Sequence, residues 1–173
     1  MQQKSVFRLF LEALGYVVAG NVMALVVTLS LLGFGNDNVL IVVASFCAIS
    51  TYLMMTFSVG HKDGEQERKL VRVNRLEKPN PNKWLIIGIV AWLMLCVPCI
   101  ILLFAPGFLI PFRFIFGALF AISLLFGSDT IPAWSNFVFI GIYALTPVFM
   151  MLGHYVGYFE KMTMDSIIYK KKK

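Results

Sequence analysis

Two cysteines separated by two residues, Cys96 and Cys99, have the most chemically suggestive spacing in the chain. A C-x-x-C pair can cycle between dithiol and disulfide and so act as a redox couple. The same pair lies in a long apolar run with Pro98 between the thiols. Cysteine also packs as a small apolar residue. We therefore expect packing, and keep a redox pair as an alternative.

The cysteine pair resembles that of small four-helix membrane oxidoreductases, which pass electrons from thiols to quinones near the outer membrane face. The resemblance covers four residues, and it implies a membrane thiol oxidoreductase using Cys96 and Cys99. Such enzymes generally relay electrons through a second cysteine pair. Cys47 is the only other cysteine here and cannot form one. Apart from this alternative, we predict no enzymatic activity.

The two histidines, His61 and His154, are candidates for proton transfer or metal binding. His154 lies between Gly153 and Gly157, whose G-x-x-x-G spacing lets two helices approach closely and predicts a packing face. With no carboxylate predicted in its span, we expect His154 to be a hydrogen-bonding interface residue. Two histidines are too few for a structural zinc site. We therefore predict no metal site, catalytic residue or cofactor.

Arg113 is a lone charge in an otherwise apolar stretch. A charge at the bilayer centre costs about 2.5–3.5 kcal/mol on insertion scales, so Arg113 must reach an interface, a cavity or a counter-ion. Asp37 and Asp129 are the acids we place on the same outer face. The sequence predicts either an ion pair with one of them or snorkelling to lipid headgroups.

Polar and proline residues inside the apolar runs suggest a second class of function. Asn21 and Thr146 could line a polar cavity, and Pro98 and Pro147 interrupt helical runs. Broken helices are a feature of transporter sites. A small-molecule or lipid transporter, with Asn21, Pro98, Arg113 and Thr146 near its path, is therefore the first alternative function.

The composition of the chain decides its class. Of 173 residues, 59% are hydrophobic and 14% are charged, against roughly 45–50% and 25% in average soluble domains. A soluble chain of this composition would expose far more apolar surface than soluble monomers do. We therefore exclude a soluble enzyme, a disordered tail and a disulfide-stapled secreted domain. The chain is predicted to be a single membrane domain over residues 1–173.

Four apolar runs reach the roughly 20 residues that a helix needs to cross a bilayer. Because backbone groups in lipid must be satisfied within the segment, each run is predicted to be a helix. The predicted fold class is therefore an all-α polytopic membrane protein. The four predicted spans are residues 13–34, 39–59, 84–105 and 136–159.

A fifth apolar run, Phe108 to Phe126, is nearly long enough to span but contains Pro111 and Arg113. Cytoplasmic loops are enriched in Lys and Arg. If this run does not span, the N-terminus, a basic loop at 60–83 and the lysine-rich tail all lie on the cytoplasmic side. We therefore predict four spans plus a re-entrant or interfacial outer segment within residues 106–135, with both termini cytoplasmic.

The basic residues of the loop and of the tail are predicted to contact anionic lipid headgroups. Each basic residue near an anionic leaflet contributes about 1 kcal/mol to such binding. A short loop of this kind cannot build the folded basic surface that nucleic-acid binding requires. The predicted lipid contacts are Arg68, Arg72, Arg75, Lys170, Lys171, Lys172 and Lys173.

Two segments resemble a group of small, uncharacterised four-span bacterial membrane proteins. They are Gly64-Glu65-Gln66-Glu67-Arg68-Lys69-Leu70-Val71, with the lysine just before the third span, and the ending from Gly153 through Ile167-Ile168-Tyr169 to the lysines. Members often have an acid and an amide where this chain has Arg68 and Lys69. The resemblance implies four spans in a bacterial cytoplasmic membrane, and no activity. In a eukaryote, the dilysine-like ending would instead indicate the endoplasmic reticulum.

Together these features predict an accessory or interaction protein in the membrane. The expected partners are the lipid bilayer and either a second copy or another membrane protein. Contact with that partner is predicted through the G-x-x-x-G face of the fourth span and the aromatic Phe108 to Phe126 run.

Overall fold

A computed structural model describes residues 5–35, 37–73, 80, 82–127 and 131–170, except for the side chains of Pro106 and of residues 160–170. Within those ranges the chain is helical and contains no strand, which confirms the predicted all-α class. A 3-10 turn, Pro106–Phe108, links the third helix to the fourth. The helices are α1 (Val6–Leu32), α2 (Asn38–Arg72), α3 (Asn82–Phe104), α4 (Leu109–Ile115), α5 (Gly117–Phe126), α6 (Ser135–Tyr143) and α7 (Leu145–Lys170).

Four helical segments are long and apolar enough to cross a membrane: α1, α2, α3 and the Ser135–Phe159 segment of α6 and α7. The shortest is α3, with 23 residues. At about 1.5 Å per residue it is about 35 Å long, which exceeds the roughly 30 Å of a hydrocarbon core. The predicted four-span membrane architecture is confirmed in these terms.

The helices extend beyond the predicted apolar runs. Ser5 caps α1, its Oγ accepting a hydrogen bond from the Arg8 amide at 3.3 Å, so the helix begins before the apolar residues do. Residues 60–72, predicted as the first part of a cytoplasmic loop, continue α2. They remain helical because one face of this stretch, from Gly60 to Leu70, is buried against the rest of the bundle.

The fourth span is broken between α6 and α7 at Ala144. Pro147 explains the break, because proline has no amide hydrogen and its ring clashes with the carbonyl of the residue four positions earlier, here Tyr143. Pro147 also lies against α3, where a Cβ built on Gly88 would be 2.4 Å from its Cα. The break therefore lies inside the bundle.

Helices α4 and α5 form a short hairpin instead of a span. With 7 and 10 residues they are too short to cross a bilayer. The turn between them reaches α1 at mid-length, since a Cβ on Gly117 would be 2.2 Å from the Asn21 carbonyl oxygen. Aromatic contacts fix the hairpin on α6, including Phe112 with Phe139 and Phe116 with Tyr143. The hairpin falls in the stretch predicted as a re-entrant or interfacial outer segment, and its position relative to a membrane stays a prediction.

The closest helix contact joins α2 to α7. Gly60 and Gly64 of α2 face Met150 and His154 of α7, so the two helices run parallel. In return, Cβ atoms on Gly153 and Gly157 would lie 2.1 and 2.2 Å from carbonyl oxygens of α2. Two G-x-x-x-G motifs thus bring backbone against backbone, as small residues do in membranes.

The packing role predicted for Gly153 and Gly157 therefore falls within one chain. We expected this face to meet a partner or a second copy, but α2 covers it. The correction has a simple cause: α2 continues past Gly60 as a helix and carries a matching pair of glycines. A G-x-x-x-G motif in one helix shows that a neighbour comes close, and does not show which chain supplies it.

We predict that Gly153→Ala destabilises the protein by about 1–3 kcal/mol, because the new methyl group would overlap a backbone carbonyl of α2. Gly141→Ala in α6 is the matched control, since no atom lies within 4 Å of a Cβ built there. That control should be neutral or stabilising by up to about 1 kcal/mol. Thermal unfolding in detergent measures both changes, and equal effects would contradict the backbone contact.

Candidate functional site

Two acidic side chains lie buried near the end of α2. Asp63 and Glu67 are four residues apart and therefore share one helix face. They are 5% and 2% exposed. A buried carboxylate is costly unless it is paired and hydrogen-bonded. Both acids therefore require partners from neighbouring helices.

The start of α3 supplies a cation and a hydrogen-bond donor. Lys83 Nζ lies 2.6 Å from Asp63 Oδ2 and 2.5 Å from Glu67 Oε1, so one ammonium bridges the two acids. The indole Nε1 of the fully buried Trp84 donates to Asp63 Oδ2 at 2.9 Å. Trp84 is therefore part of this interior network.

Helix α7 completes the site with His154. Its Nε2 is 2.8 Å from Glu67 Oε2 and 3.8 Å from Asp63 Oδ2, and the residue is 1% exposed. An ionised carboxylate only accepts hydrogen bonds, so Nε2 carries the proton that Glu67 accepts. His154 Nδ1 has no hydrogen-bond partner among the described residues. In the neutral ring this nitrogen is a free base.

We call Asp63, Glu67, Lys83 and His154 the ionic cluster. Two carboxylates and one ammonium leave one net negative charge while His154 is neutral. A proton on His154 Nδ1 removes that charge. One carboxylate oxygen each of Asp63 and Glu67 and one ring nitrogen of His154 lie within 4.8 Å of one another, close enough to hold a metal ion. Lys83 already bridges the carboxylates, so a metal would have to displace it.

Arg68 is buried between α2 and α7 instead of facing lipid. The residue is 4% exposed, and its guanidinium donates to the Gly157 carbonyl at 3.1 Å and pairs with Glu65 at 3.6 Å. The prediction that Arg68 contacts anionic headgroups is therefore wrong. Its position follows from the close approach of α2 and α7, which turns this helix face inward.

A second polar group lies deeper in the bundle, and we call it the central polar layer. Asn21 Oδ1 accepts from the Tyr143 hydroxyl at 2.9 Å and from the Ala118 amide at 3.4 Å. The hydroxyls of Tyr52 and Thr146 share a hydrogen bond of 2.8 Å. Asn21 is 4% exposed and the three hydroxyl residues are fully buried. The layer lies where the hairpin turn meets the break between α6 and α7.

Arg113 is held inside the hairpin. Its Nε donates to Ser123 Oγ at 2.8 Å, and its Nη2 donates to the carbonyls of Ser123 and Gly127. Gly127 ends α5 with φ of +149°, which L side chains rarely adopt. Asp37 is the N-cap residue of α2. Asp129 lies outside the described residues, so the predicted ion pair stays a prediction.

Of the other residues predicted to contact anionic lipid, only Arg72 has a described side chain. Arg72 is exposed on α2. Arg75 and 171–173 lie outside the described residues, and Lys170 ends α7 without a described side chain. Their contact with anionic lipid stays a prediction. His61 stacks on Phe57, with ring centroids 5.9 Å apart, and does not join His154 as a metal ligand.

Cys96 and Cys99 are both free thiols buried in α3, and Cys99 has no exposed surface. The Cys99 thiol donates to the Leu95 carbonyl at 3.5 Å. This burial favours the packing role that we expected for the pair. Thiol exchange needs an accessible sulfur, so the redox alternative gains no support from their placement.

Sequence reasoning missed the carboxylates and the lysine of the ionic cluster. Asp63, Glu67 and Lys83 all lie in the stretch 60–83 that the charge pattern predicts to be a cytoplasmic loop. A usable signal was present: Gly60 and Gly64 repeat the G-x-x-x-G spacing of the fourth span. Two such motifs predict two helices packed together, and acids four residues apart on that stretch would then lie near His154.

Comparison with protein-family models, with curated proteins and with solved structures found no match for this chain. The resemblance to small four-span bacterial membrane proteins therefore stays a prediction.

We predict that Lys83→Met costs about 3–5 kcal/mol of stability, because it leaves two buried carboxylates uncompensated. Lys83→Met combined with Glu67→Gln restores one net negative charge and should recover at least half of that loss. Lys69→Met, an exposed lysine of α2, should change stability by less than about 0.5 kcal/mol. Unfolding in detergent compares the three variants; a double variant no better than the single one would contradict the charge pairing.

We predict that Arg113→Met loosens the hairpin, because the Ser123 and Gly127 carbonyls lose a charged donor. Such bonds contribute about 1.5–3 kcal/mol each, so amide hydrogen exchange over α5 should accelerate at least about tenfold. Arg8→Met, at a side chain 70% exposed, is the control. Hydrogen exchange followed by mass spectrometry compares the two variants. Unchanged protection of α5 in Arg113→Met would contradict the claim that the Arg113 hydrogen bonds stabilise the hairpin.

Proposed function

We propose that this membrane protein is a proton-coupled transporter of a small solute. The observation that carries the proposal is the ionic cluster, in which a buried histidine with one free ring nitrogen adjoins two carboxylates and a lysine. Buried ionisable groups are costly, and a histidine paired with carboxylates is a common device for binding a proton. A cluster with one net negative charge is suited to bind one proton.

His154 is the proton-binding residue of this proposal. Its Nε2 already hydrogen-bonds Glu67, and its Nδ1 is the free base of the cluster. Protonation gives an imidazolium that pairs directly with the Glu67 carboxylate. The charge-assisted hydrogen bond is stronger than the neutral one. Proton binding should therefore tighten α7 against α2, and proton release should loosen it.

The central polar layer is the proposed solute site. It combines a re-entrant turn, a broken helix and buried hydroxyl and amide groups. Discontinuous helices near the midplane form the substrate sites of many transporters. Thr146 of this layer and His154 lie on the same helix, eight residues or about 12 Å apart. A movement of α7 would therefore act on both sites at once.

The matching residues of α2 support the same coupling. Tyr52 of the central polar layer precedes Asp63 of the ionic cluster by eleven residues, or about 16 Å along the helix. Between the two levels α2 and α7 touch through glycines. Each of these two helices carries residues of both sites. A shift of α7 relative to α2 on proton binding would therefore also move the residues of the solute site.

The test uses proteoliposomes on a solid-supported membrane. A jump from about pH 8 to about pH 5 should produce a transient current as the cluster binds protons. Amino acids, sugars and small amines, added singly at constant pH, should reveal the solute class by a solute-dependent current. We expect His154→Gln to abolish the pH-jump current, because glutamine keeps a hydrogen-bond donor and cannot titrate.

His61→Gln is the matched control, since it removes the other histidine and leaves the ionic cluster intact. It should keep the wild-type current. Currents that are equal in wild-type, His154→Gln and protein-free liposomes would contradict the proposal. A pH-jump current without any solute-dependent current across the panel would retain proton binding and contradict transport of those solute classes.

An accessory or interaction protein is the second candidate. Its supporting observation is the apolar outer surface of the hairpin, where Ile110, Phe114 and Ile115 are more than half exposed. A membrane partner could cover this surface in place of lipid. Co-purification of an untagged membrane protein, lost in Phe114→Ser, would favour this candidate. We propose the bacterial cytoplasmic membrane as the location of the protein, with both termini in the cytoplasm.

A further inference from the structure

We propose that the solute transported by this protein is a neutral polyol or sugar, bound by two buried polar layers that contain no ionised side chain. The inference rests on the proposed function and names its substrate class. Besides the central polar layer, the bundle has a second polar layer, which consists of the buried residues Thr28 of α1, Ser45 of α2 and Asn136 of α6.

The second polar layer repeats the central one two helical turns away. Each member lies seven residues from a member of the central polar layer on its own helix: Thr28 from Asn21, Ser45 from Tyr52 and Asn136 from Tyr143. Seven residues are close to two turns of an α-helix, so each residue shares the inward face of its counterpart. The step along each helix is about 10 Å.

The directions of the helices place the three residues at one level. Helix α1 runs opposite to α2, because Lys62 of α2 contacts Tyr16 of α1 while Tyr52, earlier on α2, lies beside Gly20 of α1. Helix α6 runs in the same direction as α2, since it forms one span with α7, which is parallel to α2. The seven-residue step is forward on α1 and backward on α2 and α6. It therefore leads to the same end of the bundle on all three helices.

Two atoms of the second polar layer have unused hydrogen-bonding capacity. Thr28 Oγ1 and Asn136 Oδ1 have no hydrogen-bond partner among the described residues. The hydroxyls of Ser30, Ser45 and Thr51 donate to the carbonyl four residues earlier in their helices, a bond that Thr28 does not make. A buried polar atom without a partner is costly. Hydroxyl groups of a solute would satisfy both atoms, because a hydroxyl donates to an amide oxygen and pairs with a threonine hydroxyl in either direction.

The lack of charge in the two layers selects against ionised solutes. Amide and hydroxyl groups offer no counter-charge to an ammonium or a carboxylate, and burying an unpaired charge is costly. The ionic cluster lies too far away to supply one, since His154 is about 12 Å from Thr146 along α7. The Arg113 guanidinium of the hairpin already donates to Ser123 and Gly127. A neutral solute rich in hydroxyl groups meets these conditions.

The test is counterflow in proteoliposomes, which measures exchange of a radiolabelled solute and needs no pH gradient. Wild-type protein should exchange xylitol or glucose and should not exchange alanine, putrescine or lactate. Thr28→Val should lower that exchange about fivefold at low solute concentration, as expected for one lost hydrogen bond. Its thermal stability should not fall, because valine has the shape of threonine and leaves no unpaired hydroxyl.

Thr51→Val is the matched control, since the Thr51 hydroxyl bonds its own helix at the Cys47 carbonyl and belongs to neither layer. It should exchange solute as the wild type does. Equal exchange of a charged probe, no exchange of any probe, or wild-type exchange in Thr28→Val would overturn the inference. A pH-jump current with exchange of charged probes only would overturn it and retain proton-coupled transport. Polyol exchange without a pH-jump current would support it and contradict the proton coupling.

Discussion

The backbone contact between α2 and α7 is the constraint on which the rest of the structure depends. Four glycines let the carbonyls of each helix fill the space where side chains of the other would stand. This close approach places His154 beside Glu67 and directs Arg68 onto the Gly157 carbonyl. Any larger residue in this contact would separate the helices and open the ionic cluster. Packing therefore precedes electrostatics in building the site.

The ionic cluster is an expensive way to hold helices together. Removing charges from water costs several kcal/mol per ion, and pairing recovers this only when the geometry is good and the remaining polar atoms are satisfied. Here Lys83 and Trp84 satisfy the acids, but His154 Nδ1 is left without a partner among the residues described. An apolar contact would stabilise the same helices without that orphan nitrogen. This desolvation cost is explained if the protein uses the cluster to bind and release a proton.

Much of the architecture followed from sequence because it depends on local properties. Run length and scarcity of charge predicted the four long apolar helices. The distribution of basic residues predicts in addition that Phe108 to Phe126 does not cross, and this stays a prediction. Pro111 and Arg113 lie within the Phe108 to Phe126 run and distinguish it from the four predicted spans. The ionic cluster was missed because its partners are distant: Lys83 is 16 residues from Glu67, and His154 is 87. Charge patterning places such residues near an interface but does not show which of them meet in the fold.

The protonation state of His154 is the central claim, and ¹⁵N NMR of imidazole-labelled protein in nanodiscs measures it most directly. His61→Gln leaves a single histidine signal, since the chain contains two histidines. At high pH the spectrum should show the tautomer with the proton on Nε2 and a free Nδ1, and lowering the pH should convert it to the imidazolium. A proton on Nδ1 in the neutral ring, or ring-nitrogen signals that do not change as the pH is lowered, would contradict a proton-binding cluster.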